Sequence, residues 1–268
     1  MACFVGFASA ATSAGKFSAA ILSLAKRAQL AMLLAGAGQI MHAHFFNRVD
    51  AGQQLAAKLA KYAGPEVLVL ALPRGGVPVA AEVARTLSAP LDVLVVRKLG
   101  LPGNEELAMG AIASGGLRVV NAEIIAQHGV SAQTVATVAA REQRELTRRE
   151  KTYREGRPAP VIRGQTVVLV DDGVATGSSM RVAIAALREA KAGRIIAAAP
   201  VMSRDSYFEL RSAADECVAL SIPRDFGAVG EFYAEFGSTT DEEVGELLHT
   251  VAACAPPGVC PQFSLSQN

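Results

Sequence analysis

Two adjacent carboxylates, Asp171 and Asp172, leave the apolar run Val167–Val170 and lead directly into Gly173-Val174-Ala175-Thr176-Gly177-Ser178-Ser179. Small residues let a backbone approach an anion closely. The N–H groups opening the helix that follows, with the hydroxyls of Thr176, Ser178 and Ser179, supply donors. The chemistry on offer is phosphate binding beside an acid pair. Carboxylates would repel a bare polyphosphate, whereas a sugar phosphate brings vicinal hydroxyls, or a Mg2+ ion, to meet Asp171 and Asp172. The segment is neither a GxxxxGK[ST] loop nor a GxGxxG turn. Helix capping needs one Asp, which leaves the second acid and the run of donors unexplained.

Two further strand ends carry unusual residues. In Leu72-Pro73-Arg74-Gly75-Gly76, the glycine pair exposes backbone N–H groups and tolerates a strained peptide, while Arg74 supplies a forked cation. Arg97 and Lys98 leave another apolar run. The stretch after them, Gly100–Gly116, holds five glycines and a proline and predicts a long mobile loop with the composition of a lid.

The elements that must position these residues alternate. Asn47 or Asp50 caps a helix running to Tyr62, followed by a strand at Val67–Leu72, a helix over about Val79–Leu87 and a strand at Leu91–Val96. A short strand at Leu117–Val120 precedes a long helix from a Ser131 cap to about Glu155. Its charged half, REQRELTRREKTYREGR, mixes both signs and reads as a solvated face. Strands at Thr166–Val170, Arg194–Met202 and Cys217–Ser221 then alternate with helices at Ser178–Ala192 and from Ser203 to about Ala213. Thr240 and Glu243 form a capping box for a last helix at Asp241–Ala253. Such alternation predicts an α/β fold, with a mostly parallel sheet covered by helices on both faces. In such sheets ligands bind beyond the carboxyl ends of the strands, where all three unusual segments fall.

Composition narrows the function classes. Of the 268 residues, 51% are hydrophobic and 19% charged, enough apolar material for a sizeable core. The 26 basic and 25 acidic residues nearly cancel, which disfavours a nucleic-acid partner. No run of 18 uninterrupted apolar residues occurs, so no membrane span is expected. Four scattered cysteines without a CxxC pair fit a reducing cytoplasm. Nothing speaks against a homodimer. Residues 1–40 lack any acid and read as an extension outside the fold, with a targeting segment or a true helix as alternatives. The domain is expected over 41–255, followed by a loose, proline-bearing tail at 256–268.

VVLVDDGVATGSS resembles the phosphoribosyl pyrophosphate (PRPP) signature of the type I phosphoribosyltransferases. The order of elements extends the resemblance from about Phe46 to Leu248. It is closest to a subgroup with an LPRGG segment and a DDGVATG loop. That family commonly has an aliphatic residue directly after the acid pair, where Gly173 stands here; the departure touches loop flexibility rather than donors. The resemblance implies a type I phosphoribosyltransferase-like fold with a small C-terminal hood, and displacement of pyrophosphate at C1′ of PRPP with Mg2+. It implies that Arg74, Gly75 and Gly76 form the pyrophosphate loop and that Arg97 and Lys98 stand at the base of the lid. Asp171 and Asp172 then orient the ribose and meet the metal, and Gly173, Val174, Ala175, Thr176, Gly177, Ser178 and Ser179 hold the 5′-phosphate. Catalysis falls to Asp171, Asp172, Lys98 and Arg74. A hood at 222–239 would receive a nucleobase-like acceptor, with Phe226, Tyr233 and Phe236 as stacking candidates; filling a small satellite core is the competing use of these rings. A regulator of the same fold that binds PRPP or nucleotide is the alternative function, and the complete lid and LPRGG segment favour the enzyme.

Overall fold

Val67, Val69 and Ala71 pack into one hydrophobic cluster and Leu68, Leu70 and Leu72 into another, so this apolar run is a strand buried on both faces. It is β1 (Val67–Ala71), near the middle of a five-stranded parallel sheet of order β2-β1-β6-β7-β8. The partners are β2 (Leu91–Val93), β6 (Thr166–Val170), β7 (Arg194–Val201) and β8 (Glu216–Ser221). The computed structural model describes residues 44–254. The expectations for the lead at 1–40 and the tail at 256–268 lie outside the described residues.

Helices cover both faces. On one side lie α1 (Arg48–Leu59), α2 (Gly76–Leu87), α4 (Ala132–Arg154) and α7 (Asp241–Cys254); on the other lie α5 (Ser178–Glu189) and α6 (Arg204–Ala213). A short α3 (Ala122–Gln127), absent from the expected elements, is capped by Asn121 Oδ1 accepting from the Ile124 N–H. The expected caps form elsewhere: Asn47 accepts from Asp50 N, Ser131 from Thr134 N and Ser203 from Ser206 N. Thr240 and Glu243 bond reciprocally as a capping box, at 2.8 and 3.1 Å.

The expected mobile loop at Gly100–Gly116 is instead most of an antiparallel sheet: β3 (Val96–Leu101), β4 (Asn104–Ala113) and β5 (Leu117–Val120), in that order. The glycines that suggest a loop serve close packing of strands. A Cβ on Gly100 would stand 2.7 Å from Glu105 O, and one on Gly110 2.6 Å from Val119 O. The pairing of β3 with β4 shifts register on both sides of Gly100, as at a bulge. The predicted strand Leu91–Val96 is likewise broken: β2 ends at Val93, and β3 joins the second sheet.

The charged half of α4 is only partly a solvated face. Glu142 and Arg154 are buried, each in an ion pair that ties the helix to a strand segment. Arg154 Nε stands 3.1 Å from Asp92 Oδ2 at the end of the main sheet, and Arg97 binds Glu142. A mixed-charge run conceals these two inward positions.

Candidate active site

The chain leaves β1 toward β2 on one side of the sheet and later leaves β6 toward β7 and β8 on the other. The strand order therefore reverses between β1 and β6. A crevice opens at such a switch point, beyond the carboxyl ends of the two strands. Leu72–Gly76 follows β1 and Asp171–Ser179 follows β6, so the fold brings two of the three sequence-predicted segments together. Leu72 N donates to Val170 O (2.9 Å), fixing the spot where the loops diverge.

The two loops pack so closely that the glycine pair is required. A Cβ on Gly75 would lie 2.0 Å from Asp172 Oδ2, and one on Gly76 2.8 Å from Val170 O and 2.9 Å from Asp171 Cα. The Pro73–Arg74 peptide is cis. Gly76 already begins α2, three residues before the expected Val79, so the N-terminus of this helix stands at the crevice as well. Arg74 lies half-exposed beside Asp241 at the start of α7, with Nη1 3.6 Å from Oδ1. Tyr153 of α4 donates to the same oxygen at 2.9 Å. Burial, and next this hydrogen bond, push the Tyr153 phenol up to about 12, so it remains a donor at neutral pH.

The loop after β6 is stitched to the end of β7. Val174 N donates to Val201 O (2.9 Å), and Ser203 N to Val174 O (2.8 Å). The hydroxyls of Ser203 and Ser206 both donate to Ala175 O, at 2.6 and 2.7 Å. Gly177 adopts φ +68°, the left-handed region that favours glycine, immediately before α5. Ala175, Thr176 and Ser179 are exposed, and Thr176 Oγ1 lies 3.1 Å from Ser178 Oγ. The result is a fixed loop with exposed hydroxyls at Thr176 and Ser179; Gly177 provides no side-chain cap, and Ser178 N donates weakly, at 3.5 Å, to Thr176 Oγ1.

Gly173 has a role that loop flexibility does not describe. A Cβ there would lie 2.4 and 2.9 Å from the methyls of Val229, and 3.1 Å from a methyl of Val201. Val229, from the segment at 222–239, occupies the space that the family's usual aliphatic side chain would need.

The acid pair is asymmetric. Asp171 Oδ1 accepts from Asp172 N (2.9 Å), and no cation bonds it among the described residues. Burial first, and the charge of Asp172 second, push the Asp171 carboxyl well above the usual carboxylate range. Asp172, by contrast, is bonded by Arg48: Nε stands 2.8 Å from Oδ2, and both side chains are nearly covered, at 13% and 14% exposure. Arg48 opens α1, 124 residues away in the chain, and is missing from the sequence-predicted site. Its neighbours Phe46, Asn47 and Asp50 give only a capping signal, and nothing local announces a partner so distant.

The segment at 222–239 holds a short turn of 3-10 helix (Val229–Phe232) and divides the three aromatic candidates. Tyr233 is buried with Phe45, Phe232 and Val201 in a small core, and its hydroxyl donates to Asp172 O (2.5 Å). The competing use of the rings holds for Tyr233, which presents no open face for an acceptor. Burial, then the Asp172 charge, raise its phenol further above the ordinary range. Phe226 packs against Phe232, with ring centres 5.4 Å apart. Phe236 is the exposed one of the three, yet the Arg48 guanidinium lies over it at 3.9 Å from the ring centre, and Tyr233 stacks on it at 5.0 Å.

Arg97 and Lys98, the third segment, are not a paired cationic patch. Successive residues of a strand point to opposite faces. Arg97 turns to α4, with Nε 2.9 Å and Nη2 2.5 Å from Glu142 Oε2, while Lys98 is exposed. No hydrogen bond or ion pair joins either residue to the two loops among the described residues.

The acid pair suits a hard cation. Asp171 and Asp172 are partly covered and adjacent, with Asp172 Oδ1 bonded to no cation, and among the described residues no third Asp, Glu, His or Cys completes a cluster. A Mg2+ ion that keeps waters and takes phosphate oxygens from a substrate fits two carboxylates of this kind.

Fold and site together define an α/β domain whose candidate site lies at the switch point of a parallel sheet. The phosphoribosyl transferase domain family matches residues 44–236, and the chain belongs to that family. A relative in Mycobacterium tuberculosis strain H37Rv, named "Putative phosphoribosyl transferase Rv0571c", is 45% identical over 204 residues, covering 76% of this chain and 46% of that protein. A relative from strain CDC 1551 gives the same figures, so the chain spans less than half the length of these curated relatives. The crystal structure of TT1426 from Thermus thermophilus superposes with a TM-score of 0.69 at 44% identity, over 76% of this chain and 97% of that one. The α/β fold and the family are those expected from the sequence. No helix among the described residues is long and apolar enough to cross a membrane.

Proposed function

We propose that the protein transfers the ribosyl 5-phosphate of PRPP to a nucleobase or similar nitrogen acceptor and releases pyrophosphate. The observation that carries this reading is the packing of Gly75 against Asp172, which sets a cationic glycine loop beside an acid pair and a hydroxyl cradle in one crevice.

Each group then has a task. The cradle from Gly173 to Ser179 binds the 5′-phosphate through the hydroxyls of Thr176, Ser178 and Ser179 and through the first N–H groups of α5. Asp171 and Asp172 orient the ribose hydroxyls, and the charge of Asp172 favours the positive charge that grows on the ring as the C1′–O bond to pyrophosphate breaks. Asp171 and Asp172 would hold a Mg2+ ion, which would supply positive charge to offset that of the leaving pyrophosphate. Arg74 leaves the weak contact with Asp241 to meet pyrophosphate as a fork. The acceptor nitrogen forms the new bond to C1′ as the bond to pyrophosphate breaks, and its proton passes to the departing pyrophosphate, while the fixed loops hold the ring in line. Lys98 is the exposed cation of the β3–β4 hairpin and would join this set if the hairpin closes over the crevice.

A screen of nucleobases and related amines with PRPP and Mg2+, reading pyrophosphate release, tests the proposal. Acceptor-dependent release that Asp172→Asn strongly lowers supports it. Tight PRPP binding with no release for any acceptor would favour the regulator, and no binding of PRPP at all would overturn the reading.

A further inference from the structure

We infer that Arg48 is a positioning residue for the PRPP side of the site and that Phe236 acts through it, as a shelf for its guanidinium rather than as a platform for the acceptor. The inference rests on the PRPP reading above and adds a residue and a role to it.

The geometry is a closed chain of contacts. Arg48 Nε binds Asp172 Oδ2 at 2.8 Å, and Nη1 donates to Gly237 O at 2.6 Å. The guanidinium carbon lies 3.9 Å from the centre of the Phe236 ring, the geometry of a cation over an aromatic face. Phe236 stacks on Tyr233, whose hydroxyl returns to Asp172 O at 2.5 Å. Arg48 thus has three restraints from two segments far apart in the chain. A side chain with so many rotamers is held in one orientation only at the expense of its entropy, so such restraint is a built feature rather than a chance surface contact.

Two consequences follow for the acid pair. With Oδ2 held by Arg48, the Asp172 carboxylate cannot rotate freely, and Oδ1 is the oxygen left to meet a ligand. Arg48 also carries the only cationic group bonded to either acid among the described residues. It lowers the repulsion that two carboxylates would exert on a ligand as negative as PRPP. Both effects act on PRPP, and both depend on the ring that holds the guanidinium. Phe236 would serve a stacked base only if Arg48 moved away.

The two roles of Phe236 predict different substrates to be affected. Calorimetric binding of PRPP with Mg2+, without any acceptor, separates them in the 268-residue chain. Arg48→Met keeps a long apolar side chain against Phe236 but removes charge and fork, and should weaken PRPP binding roughly tenfold, the scale of one hydrogen bond to a charged group. Arg48→Lys keeps the charge but cannot bond Asp172 and Gly237 together, and should recover part of the loss. Phe236→Leu should weaken PRPP binding in the same direction. The double variant Arg48→Met/Phe236→Leu should be no weaker than Arg48→Met alone, because the shelf has no purpose without its load. Thermal melting of each variant identifies any that fails to fold, and Arg48→Lys with Phe236→Leu then still decides the case. PRPP binding unchanged or tighter in the folded Arg48 variants would overturn the inference while leaving the PRPP reading intact. Phe236→Leu altering only the acceptor KM would overturn the shelf role in favour of the platform. A parent protein that does not bind PRPP would overturn both the inference and the reading beneath it.

Discussion

Adding one methyl group at Gly173 should destabilise the protein, and removing two from Val229 should cancel that loss. In Gly173→Ala, the new Cβ would lie 2.4 and 2.9 Å from the Val229 methyls, with Val201 Cγ1 at 3.1 Å on another side. Comfortable carbon–carbon contact begins at about 3.5 Å, so one methyl overlaps by about 1 Å. Valine is short and stiff at χ1 and has little means of escape. Backbone strain is not involved, since Gly173 is absent from the positive-φ glycines. Overpacking of this sort costs about 1–3 kcal/mol, and at about 2–4 °C per kcal/mol for a domain of this size the melting temperature should fall by roughly 2–12 °C. Val229→Ala alone, at a half-buried position, should cost about 1 kcal/mol. The double variant should be no less stable than Val229→Ala, giving a coupling of about 1–3 kcal/mol. Urea denaturation of the four proteins measures the cycle. A Gly173→Ala protein as stable as the parent, or strictly additive single effects, would refute the claim that Val229 fills the place of the family's usual side chain.

Four further outcomes are expected. Gly75→Ala puts a methyl group 2.0 Å from Asp172 Oδ2; it should displace that carboxylate from Arg48, lower PRPP affinity at least about tenfold and cost about 1–3 kcal/mol of stability, and an affinity equal to the parent's would contradict the close packing of the two loops. Asp172→Asn should act mainly on turnover, by about 10²-fold if it removes one preorganised electrostatic contact, whereas Thr176→Val should mainly raise the KM for PRPP, because it removes a donor to a group bound alike in ground and transition states; identical kinetic signatures would contradict the division of labour. In hydrogen exchange without ligand, the paired amides of β3 and β4 and the Ser114 amide, which donates to Val95 O at 2.9 Å, should be protected, and the amides of Gly103 at the tip and of Gly115 and Gly116 at the turn should exchange fast; uniform fast exchange through Leu99–Ala111 would show that the hairpin is not formed in solution. Arg154→Met strands the buried Asp92 carboxylate and should cost about 3 kcal/mol or more at neutral pH. Burial already raises the Asp92 pKa, against the opposing pull of Arg154. The folded state therefore resists its ionisation, and without Arg154 the deficit should grow as pH rises from about 4, the ordinary value of an Asp; a deficit independent of pH between 4 and 7 would refute this.

Local patterns in the chain suffice for much of this molecule. VLVL and VVLV announce strands buried on both faces, Ser131, Ser203 and the Thr240–Glu243 box announce helix starts, and the acids, glycines and hydroxyls of Asp171–Ser179 mark the loop for which phosphate binding is proposed. Each is a property of a few consecutive residues, since strand burial, capping and turn chemistry are set within one or two turns of chain. The hairpin at Val96–Ala113 escapes for a complementary reason. Its glycines carry the composition of a loop, and their use, letting Glu105 and Val119 carbonyls approach, exists only once the strands are paired. Long-range partnership decides the rest. Arg97 reads as a ligand contact beside Lys98 until α4 supplies Glu142, and Tyr233 as an acceptor ring until Phe45 and Val201 cover it. Arg48 gives no signal of a site at all, because its meaning lies in Asp172 and Phe236, brought to it from across the fold. Residue types state what a side chain is able to do; which of those abilities is used depends on the neighbour that reaches it, and in a parallel sheet with crossover connections those neighbours come from distant parts of the chain.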